Sequence, residues 1–177
     1  FLLGGMSNDD DGVGGNKTAV GFAGYDSWVV KIDANGNKLW DKNFGGDVTD
    51  RTQAIVATAD GGFLLGGFSD SGLTGNKTAL GFGGQDFWLI KIDAAGNKTW
   101  EKTFGGTGAD LLFSLQPTSG GGFLLGGRSN SGVSGNKSAA GFGLDDFWIV
   151  KIDADGNKVW DKAYGGTAAD DLFSVHT

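Results

Sequence analysis

The chain lacks the residues on which several common kinds of site depend. It has no cysteine among its 177 residues, which excludes disulfides and thiolate metal sites but leaves the cellular compartment open. Its one histidine, His176, is the residue before the last, so neither a Ser/His/Asp triad nor a histidine-based zinc site is available. Any catalysis by this chain would have to depend on carboxylates.

Clustered positive charge and long hydrophobic runs are also missing. The net charge is −7, and the 14 lysines and arginines recur at fixed positions, so no basic face exists to neutralise a phosphate backbone. No apolar run approaches about 18 residues, and there is no signal-peptide pattern. We therefore expect no nucleic-acid partner and no membrane insertion. Because the sequence begins at Phe1 inside a strand-like segment, we also expect it to be part of a longer protein.

Glycine and aromatic residues are what the chain has in excess. It contains 35 glycines, 13 phenylalanines and 6 tryptophans against one proline, without a collagen period. This composition indicates a turn-rich all-β protein with large aromatic anchors rather than a disordered chain.

One unit of about 60 residues occurs three times in the chain. The segment FLLGG begins at Phe1, Phe63 and Phe123, while GNK begins at Gly15, Gly75 and Gly135 and KID at Lys31, Lys91 and Lys151. The period is 60, except that repeat 1 has two extra residues between FLLGG and GNK. We accordingly divide the chain into repeat 1 (residues 1–62), repeat 2 (63–122) and repeat 3 (123–177).

Each unit has the pattern of four short strands joined as two hairpins. LLFSLQPT and GFLLGGRS flank a glycine turn as strands one and two, and DFWIVKID and KVWDKAYGG flank a turn in which Gly156 takes a positive φ. Strand three is apolar on both faces at its start, because Trp88 and Ile90 alternate with Phe87 and Leu89. A strand of this kind is typical of a sheet packed between two neighbouring sheets.

These features predict an all-β fold, a β-propeller built of four-stranded antiparallel blades. A parallel β-helix, the main alternative, has much shorter coils and does not have two hairpins per unit. The chain begins at strand two of one blade and ends at strand one of another. That last strand, residues 173–176, would complete the first blade if a ring closed. Propellers have about four to eight blades. We therefore expect part of a larger ring, or closure by oligomerisation, with other blades of the same protein or a second copy as partners.

The repeat resembles the 60-residue propeller-like repeats of secreted Bacteroidota proteins exported by the type IX secretion system. The resemblance is carried by the GG, GGF, GNK, DFW, KID and GNK-x-W positions and covers the whole chain. It implies a secreted or cell-surface localisation and supplies no catalytic residues. A fainter similarity to quinoprotein-type propellers, at Asp33, Gly36 and Trp40, implies a tryptophan docked between blades but no quinone cofactor.

Each repeat contains four carboxylates at equivalent positions. A glycosidase needs two carboxyl groups with unlike pKa values at one site, whereas these acids recur in every repeat, so we predict no catalytic residue. We expect one set of aspartates to open the turn between strands three and four, and another to cap the turn after each GG pair. The first set is Asp33, Asp93 and Asp153, and the second is Asp50, Asp110 and Asp170.

Repeat 1 carries an acidic insertion that no other repeat has. Its Asp9 and Asp11 offer hard oxygen ligands of the kind that calcium prefers, but the stretch lacks the full ligand spacing with a terminal bidentate glutamate. We therefore expect no cofactor, with calcium at Asp9 and Asp11 as the alternative.

The loop between strands two and three is longer than a connection needs, and long loops are usually functional or disordered. In each copy it presents an amide, a cation and an aromatic ring that could bind sugar or a partner protein. The alternative is that the ring holds the loop on its own blade while the amide bonds its own backbone. The candidate residues are Asn16, Lys17, Phe22, Asn76, Lys77, Phe82, Asn136, Lys137 and Phe142.

Three functional hypotheses follow from these observations. The first is a non-catalytic repeat scaffold, serving as an interaction or adhesion module of a secreted or cell-surface bacterial protein. The second is a lectin-like propeller that binds carbohydrate with one site per blade, the partner then being a glycan rather than a surface protein. The third is a fragment of a polysaccharide hydrolase whose catalytic residues would lie in other blades.

Overall fold

The computed structural model describes residues 1–8 and 13–177. These residues form eleven strands and contain no helix, which confirms the predicted all-β class. Accordingly, none of the described segments is a helix that could cross a membrane. The strands are β1 (Leu2–Ser7), β2 (Asp26–Ile32), β3 (Lys38–Phe44), β4 (Asp50–Ala57), β5 (Phe63–Ser69), β6 (Asp86–Ile92), β7 (Lys98–Phe104), β8 (Asp110–Pro117), β9 (Phe123–Ser129), β10 (Asp146–Ile152) and β11 (Lys158–Tyr164).

The strands form three antiparallel sheets, none of which closes on itself. Sheet 1 contains β1–β3, sheet 2 contains β4–β7 and sheet 3 contains β8–β11, each in sequence order. In sheets 2 and 3 every strand pairs with the next one along the chain, so both predicted hairpins per unit are present. Sheet 1 has strands two to four of the unit.

An aspartate and a glycine build the turn between the third and fourth strands of each sheet. In sheet 2, Asp93 Oδ1 accepts hydrogen bonds from the backbone N–H groups of Ala95 and Asn97, both at 2.9 Å. Gly96 has a φ of 83°, in the left-handed region that favours glycine. Asp33 and Asp153 accept the equivalent bonds, so the predicted role of these three aspartates is confirmed.

Sheet 2 packs between sheets 1 and 3, and β6 is buried along its whole length. Phe87 and Leu89 belong to a core cluster shared with sheet 3, in which the ring centroids of Phe87 and Trp148 are 4.7 Å apart. Trp88 and Ile90 belong to a second cluster, shared with sheet 1. The prediction that strand three is apolar on both faces is therefore confirmed, and consecutive sheets pack face to face.

The end of the chain differs from the predicted strand at residues 173–176. Residues 165–177, all of them described, contain no strand. The segment nevertheless occupies the position of a first strand, since the side chains of Leu172 and Val175 lie against Gly126 of β9 as β8 lies against Gly66 of β5. Among the described residues, no second strand lies beside this segment, and a β-ladder cannot form without one.

Candidate functional site

The two ends of each sheet differ in what they present. Because the strands are antiparallel, the long loops and the connections between sheets lie at one end, and the hairpin turns lie at the other. In sheet 2 the first end comprises residues 70–85 and 105–109, and we call it the loop end. The second comprises residues 58–62 and 93–97, and we call it the hairpin end.

Two of the predicted asparagines, Asn76 and Asn136, join their loops to the preceding sheet, whereas Asn16 is exposed. Asn76 Oδ1 accepts a hydrogen bond from the backbone N–H of Gly45 at 3.0 Å, and its Nδ2 donates to the carbonyl of Asn43 at 2.8 Å. Asn136 makes the same pair of bonds to the end of β7, each 2.9 Å long. The alternative that this amide bonds its own loop is therefore wrong, and its partners lie one repeat earlier.

The predicted phenylalanines contact the following repeat. A β-carbon at Gly75 would lie 2.9 Å from the ring of Phe22, and one at Gly135 would lie 2.8 Å from the ring of Phe82. These two rings therefore join neighbouring loops. Phe142 of repeat 3, which has no following repeat in this chain, is 57% exposed.

The predicted lysines are buried at the loop end. Lys77 and Lys137 are each 3% exposed. Lys77 Nζ donates to the carbonyls of Ser71 at 2.9 Å and Ala79 at 2.6 Å, and Lys137 makes the equivalent bonds at the same lengths. Each ammonium group lies over a tryptophan ring, at 6.0 and 5.9 Å from its centroid. Burial lowers the pKa of both lysines.

Each GG segment also lies between two aspartates, one that begins the third strand of its own sheet and one that follows it in the chain. Asp86 begins β6, Asp110 begins β8, and both are fully buried. A β-carbon at Gly105 would lie 1.8 Å from Asp86 Oδ1 and 2.8 Å from Asp110 Oδ2, so only glycine fits between them. Asp110 Oδ2 accepts hydrogen bonds from Gly106 N at 2.8 Å and Ser131 Oγ at 2.7 Å. Equivalent pairs are Asp26 with Asp50 around Gly45, and Asp146 with Asp170 around Gly165.

The bond from Gly106 is the turn cap that the sequence predicts for Asp110. Asp50 and Asp170 accept the equivalent bonds from Gly46 at 2.8 Å and Gly166 at 2.7 Å. The predicted capping role of these three aspartates is therefore confirmed.

The junctions form a row of alternating buried charges. Burial, and then the neighbouring charge of Asp110, raises the pKa of Asp86 to about 6. Burial also raises the pKa of Asp50. Lys77 interacts electrostatically with both Asp50 and Asp86, and so lies between two aspartate pairs. Lys137 stands in the same relation to Asp110 and Asp146. Each lysine thus offsets part of the charge that the aspartates bury.

A carboxylate of the fourth strand holds the middle of each loop. Asp161 accepts bonds from the backbone N–H groups of Ser138 and Ala139 and, at 3.1 Å, from Trp148 Nε1. Although burial opposes it, hydrogen bonding from Lys158 and Ser138 holds the pKa of Asp161 well below its usual range. In repeat 1, Asp41 accepts the equivalent bonds from Thr18 N, Ala19 N and Trp28 Nε1. Its pKa is also well below the usual range, because hydrogen bonds from Thr18 outweigh the opposing effect of burial.

In repeat 2 this carboxylate is Glu101. It accepts bonds from the backbone N–H groups of Thr78 and Ala79. However, the buried Nε1 of Trp88 has no hydrogen-bond partner among the described residues. Repeat 2 therefore lacks one bond that repeats 1 and 3 make.

A groove of about 440 Å³ lies at the hairpin end between sheets 2 and 3. Polar side chains from both of these sheets and their hairpin turns line it, together with Phe123 and Pro117. Among these, Lys91 Nζ donates to both carboxylate oxygens of Asp60, at 2.8 and 3.1 Å. None of the loop residues predicted to bind a ligand lines this groove.

The predicted calcium ligands Asp9 and Asp11 lie outside the described residues. Within residues 1–8 and 13–177, no group of three or more histidine, aspartate or glutamate side chains is arranged to hold a metal ion. Calcium binding stays a prediction.

No protein-family model matches the chain, and no curated protein matches it in sequence. We therefore infer the function from the geometry of the junctions.

Proposed function

We propose that the chain is a non-catalytic repeat scaffold, a propeller-like interaction or adhesion module of a secreted or cell-surface bacterial protein. One observation supports this most strongly: polar groups that could bind or react make the same structural contacts at successive junctions. The asparagines bond the backbone of the preceding sheet, the lysines bond loop carbonyls, and the aspartates cap turns.

The stacking of the sheets supports a propeller-like arrangement. Each unit is a four-stranded meander, and consecutive units pack face to face. The first strands β4 and β8 contact each other, and β1 contacts β4, so the early strands of successive units are gathered together. Blades that repeat around a common axis have their inner strands in this relation.

The carboxylates argue against the hydrolase hypothesis. A glycosidase acid and base differ in environment at one site, but Asp50 and Asp110 have the same partners in successive junctions. The test is release of reducing sugar from a panel of polysaccharides by the purified chain. We expect none. A hydrolytic activity that Asp86→Asn or Asp110→Asn abolishes would overturn the scaffold proposal.

The proposed localisation rests on the resemblance of the repeat to type IX secretion substrates. Fractionating a producing bacterium and detecting the protein with an antibody tests it. We expect the protein in the medium or on the cell surface, and recovery only from the cytoplasm would contradict this.

Carbohydrate binding is a second candidate, and the groove at the hairpin end is the observation that favours it. The groove combines the hydroxyl of Thr118 and the carboxylates of Asp60 and Asp155 with the ring of Phe123. Sugar sites commonly combine aromatic surface with a few polar groups. A glycan array probed with and without calcium tests this function, and Thr118→Val should remove any binding that occurs in the groove.

A further inference from the structure

The groove at the hairpin end contains one carboxylate that no described residue neutralises. Lys91 Nζ bonds both carboxylate oxygens of Asp60, which lies in a turn of sheet 2. Asp155, in a turn of sheet 3 on the other side of the groove, is exposed and makes no ion pair within residues 1–8 and 13–177. The equivalent turn residues, Asn35 and Ala95, are uncharged. Of the three turns, only the one at this groove therefore offers an unpaired negative charge.

The groove also contains a backbone carbonyl without a donor. Ala154 lines the groove next to Asp155, and in the described part of the chain no group donates to its carbonyl oxygen. The strand-three lysines of the two sheets, Lys91 and Lys151, already donate to hairpin turns of their own sheets. The carbonyl and the neighbouring carboxylate are thus both available to an incoming donor.

In sheet 2 a lysine occupies the equivalent carbonyl. Lys31 Nζ donates to the carbonyl oxygen of Ala94, the counterpart of Ala154, at 2.8 Å. The same ammonium group lies 5.8 Å from the ring centroid of Phe63, a distance at which a cation and a ring attract each other. The counterpart of Phe63 is Phe123, which lines the groove. The turn between strands three and four is therefore a surface that binds a primary ammonium group.

The buried lysines of the loop end show the same chemistry in another place. Lys77 and Lys137 each donate to two backbone carbonyls, and each ammonium group lies about 6 Å from the centroid of a tryptophan ring. Carbonyl oxygens beside an aromatic ring thus hold lysine ammonium groups repeatedly in this chain. At the groove, Asp155 adds a carboxylate, and a hydrogen bond between two charged groups is stronger than one between neutral groups.

We propose that the groove between sheets 2 and 3 binds a lysine side chain of a partner protein, whose ammonium group donates to the carbonyl of Ala154 and pairs with Asp155. The alkyl part of the side chain packs on Ala59 and Pro117, which line the groove. The occupant is a lysine rather than an amino sugar, because the ammonium group bound to the equivalent carbonyl belongs to a lysine side chain. This inference rests on the proposed interaction module and names the chemistry of its partner.

The test is a titration of the isotope-labelled chain followed by nuclear magnetic resonance. The probe is Nα-acetyl-L-lysine methylamide, and the matched neutral probe is Nα-acetyl-L-norleucine methylamide, which lacks the ammonium group. We expect the lysine probe to shift resonances of the groove residues, with the carbonyl carbon of Ala154 among them. The norleucine probe should bind at least about tenfold more weakly, because it cannot donate to the carbonyl or pair with Asp155.

One variant and one control locate the binding. Asp155→Asn removes the unpaired carboxylate, and Asn35 in the equivalent turn shows that asparagine fits there. We expect D155N to bind the lysine probe about two- to fivefold more weakly, as for a solvent-accessible ion pair. Asp47→Asn removes an equal charge at the loop end and should leave the affinity unchanged. The spectra themselves show whether each variant is folded, and the comparison of the two probes on the parent chain decides the question even if D155N is not.

Three results would overturn the proposal: no shift with the lysine probe, equal binding of the two probes, or equal binding by D155N and the parent chain. D-Glucosamine serves as a third probe. If it shifts the groove resonances and the lysine probe does not, the groove binds an amino sugar and the lysine is wrong. A chain that binds none of the probes leaves the scaffold proposal standing, since only an aspartate-dependent hydrolysis contradicts the scaffold itself.

Discussion

Trp100 packs against Gly156 of the following repeat, where a β-carbon would lie 3.0 Å from the ring. Trp40 makes the same contact with Gly96, at 2.9 Å. The turn glycines Gly36, Gly96 and Gly156 share one backbone conformation, with φ values of 84°, 83° and 81°. Only Gly36 has no tryptophan against it. Substitutions at these positions therefore separate the cost of backbone strain from that of the junction contact.

Gly96→Ala should destabilise the chain more than Gly36→Ala. Both variants hold alanine at a positive φ, which costs about 1–2 kcal/mol. At Gly96 the new methyl group also displaces Trp40, and overpacking of this kind costs about 1–3 kcal/mol more. Urea denaturation at concentrations where the chain is monomeric measures the difference. Equal losses in the two variants would show that the tryptophan contact contributes nothing to stability.

The asparagine of the loop gives a second comparison within one chain. Asn136→Ala leaves the buried N–H of Gly105 and the carbonyl of Thr103 without their side-chain partner, and we expect a loss of about 1–3 kcal/mol. Asn16→Ala is the control, because Asn16 is exposed. In monomer denaturation it should change the free energy of unfolding by less than about 0.5 kcal/mol. A loss as large at Asn16 would contradict the role assigned to the junction.

The features that the sequence predicts well depend on neighbouring residues. The bond from Asn97 to Asp93 spans four positions, and the two faces of β6 follow from alternation within a single strand. Both are encoded in a short window. The hairpins, the turn glycines and the double burial of strand three are therefore all found where the pattern places them.

The junction contacts were harder to predict because the repeats are nearly identical. The side chain of Asn76 bonds Gly45, thirty-one positions earlier, and nothing in a periodic sequence distinguishes that partner from one in its own repeat. The approach of Asp86 to Asp110 depends on how one sheet packs on the next. The one sequence pattern that indicates this approach is the constant spacing between each GG pair and the aspartates on either side of it. Residues 173–176 have the sequence pattern of a strand, but a strand forms only where a second strand can pair with it. The pattern within one segment does not show whether such a partner is present.

Repeat 2 should become more stable when Glu101 is replaced by the aspartate that repeats 1 and 3 have at this position. Glu101→Asp brings a carboxylate of the length found at Asp41 and Asp161, which accept bonds from the indole N–H at 3.2 and 3.1 Å. Because Trp88 Nε1 is buried without a partner among the described residues, the gained bond should stabilise the fold by about 1 kcal/mol.

The reverse substitution, Asp161→Glu, is the matched control and should destabilise by a similar amount. Thermal and urea denaturation of both variants measure the two effects. Two changes of the same sign would show that the length of this carboxylate does not govern the indole bond.

Asp86 should make stability depend on pH near neutrality. Its pKa is raised by burial from 3.8 to about 6, so the folded chain binds this proton more readily than the unfolded chain. Its contribution is fully present below about pH 3.8 and is lost as the pH rises through about 6. We therefore expect the free energy of unfolding to fall by about 1–2 kcal/mol between about pH 5 and pH 7 from this group.

Asp86→Asn should flatten that part of the profile, because the amide oxygen can still accept the bond from Phe82 N while the buried charge beside Asp110 is removed. Asp93→Asn is the control. Hydrogen bonds from Asn97 lower the pKa of Asp93, so its contribution is present above 3.8 and is lost only as the pH falls below that value. This variant should keep the slope of the parent chain between about pH 5 and pH 7. Urea denaturation across the pH range measures all three profiles, and an unchanged slope in D86N would show that another group titrates there.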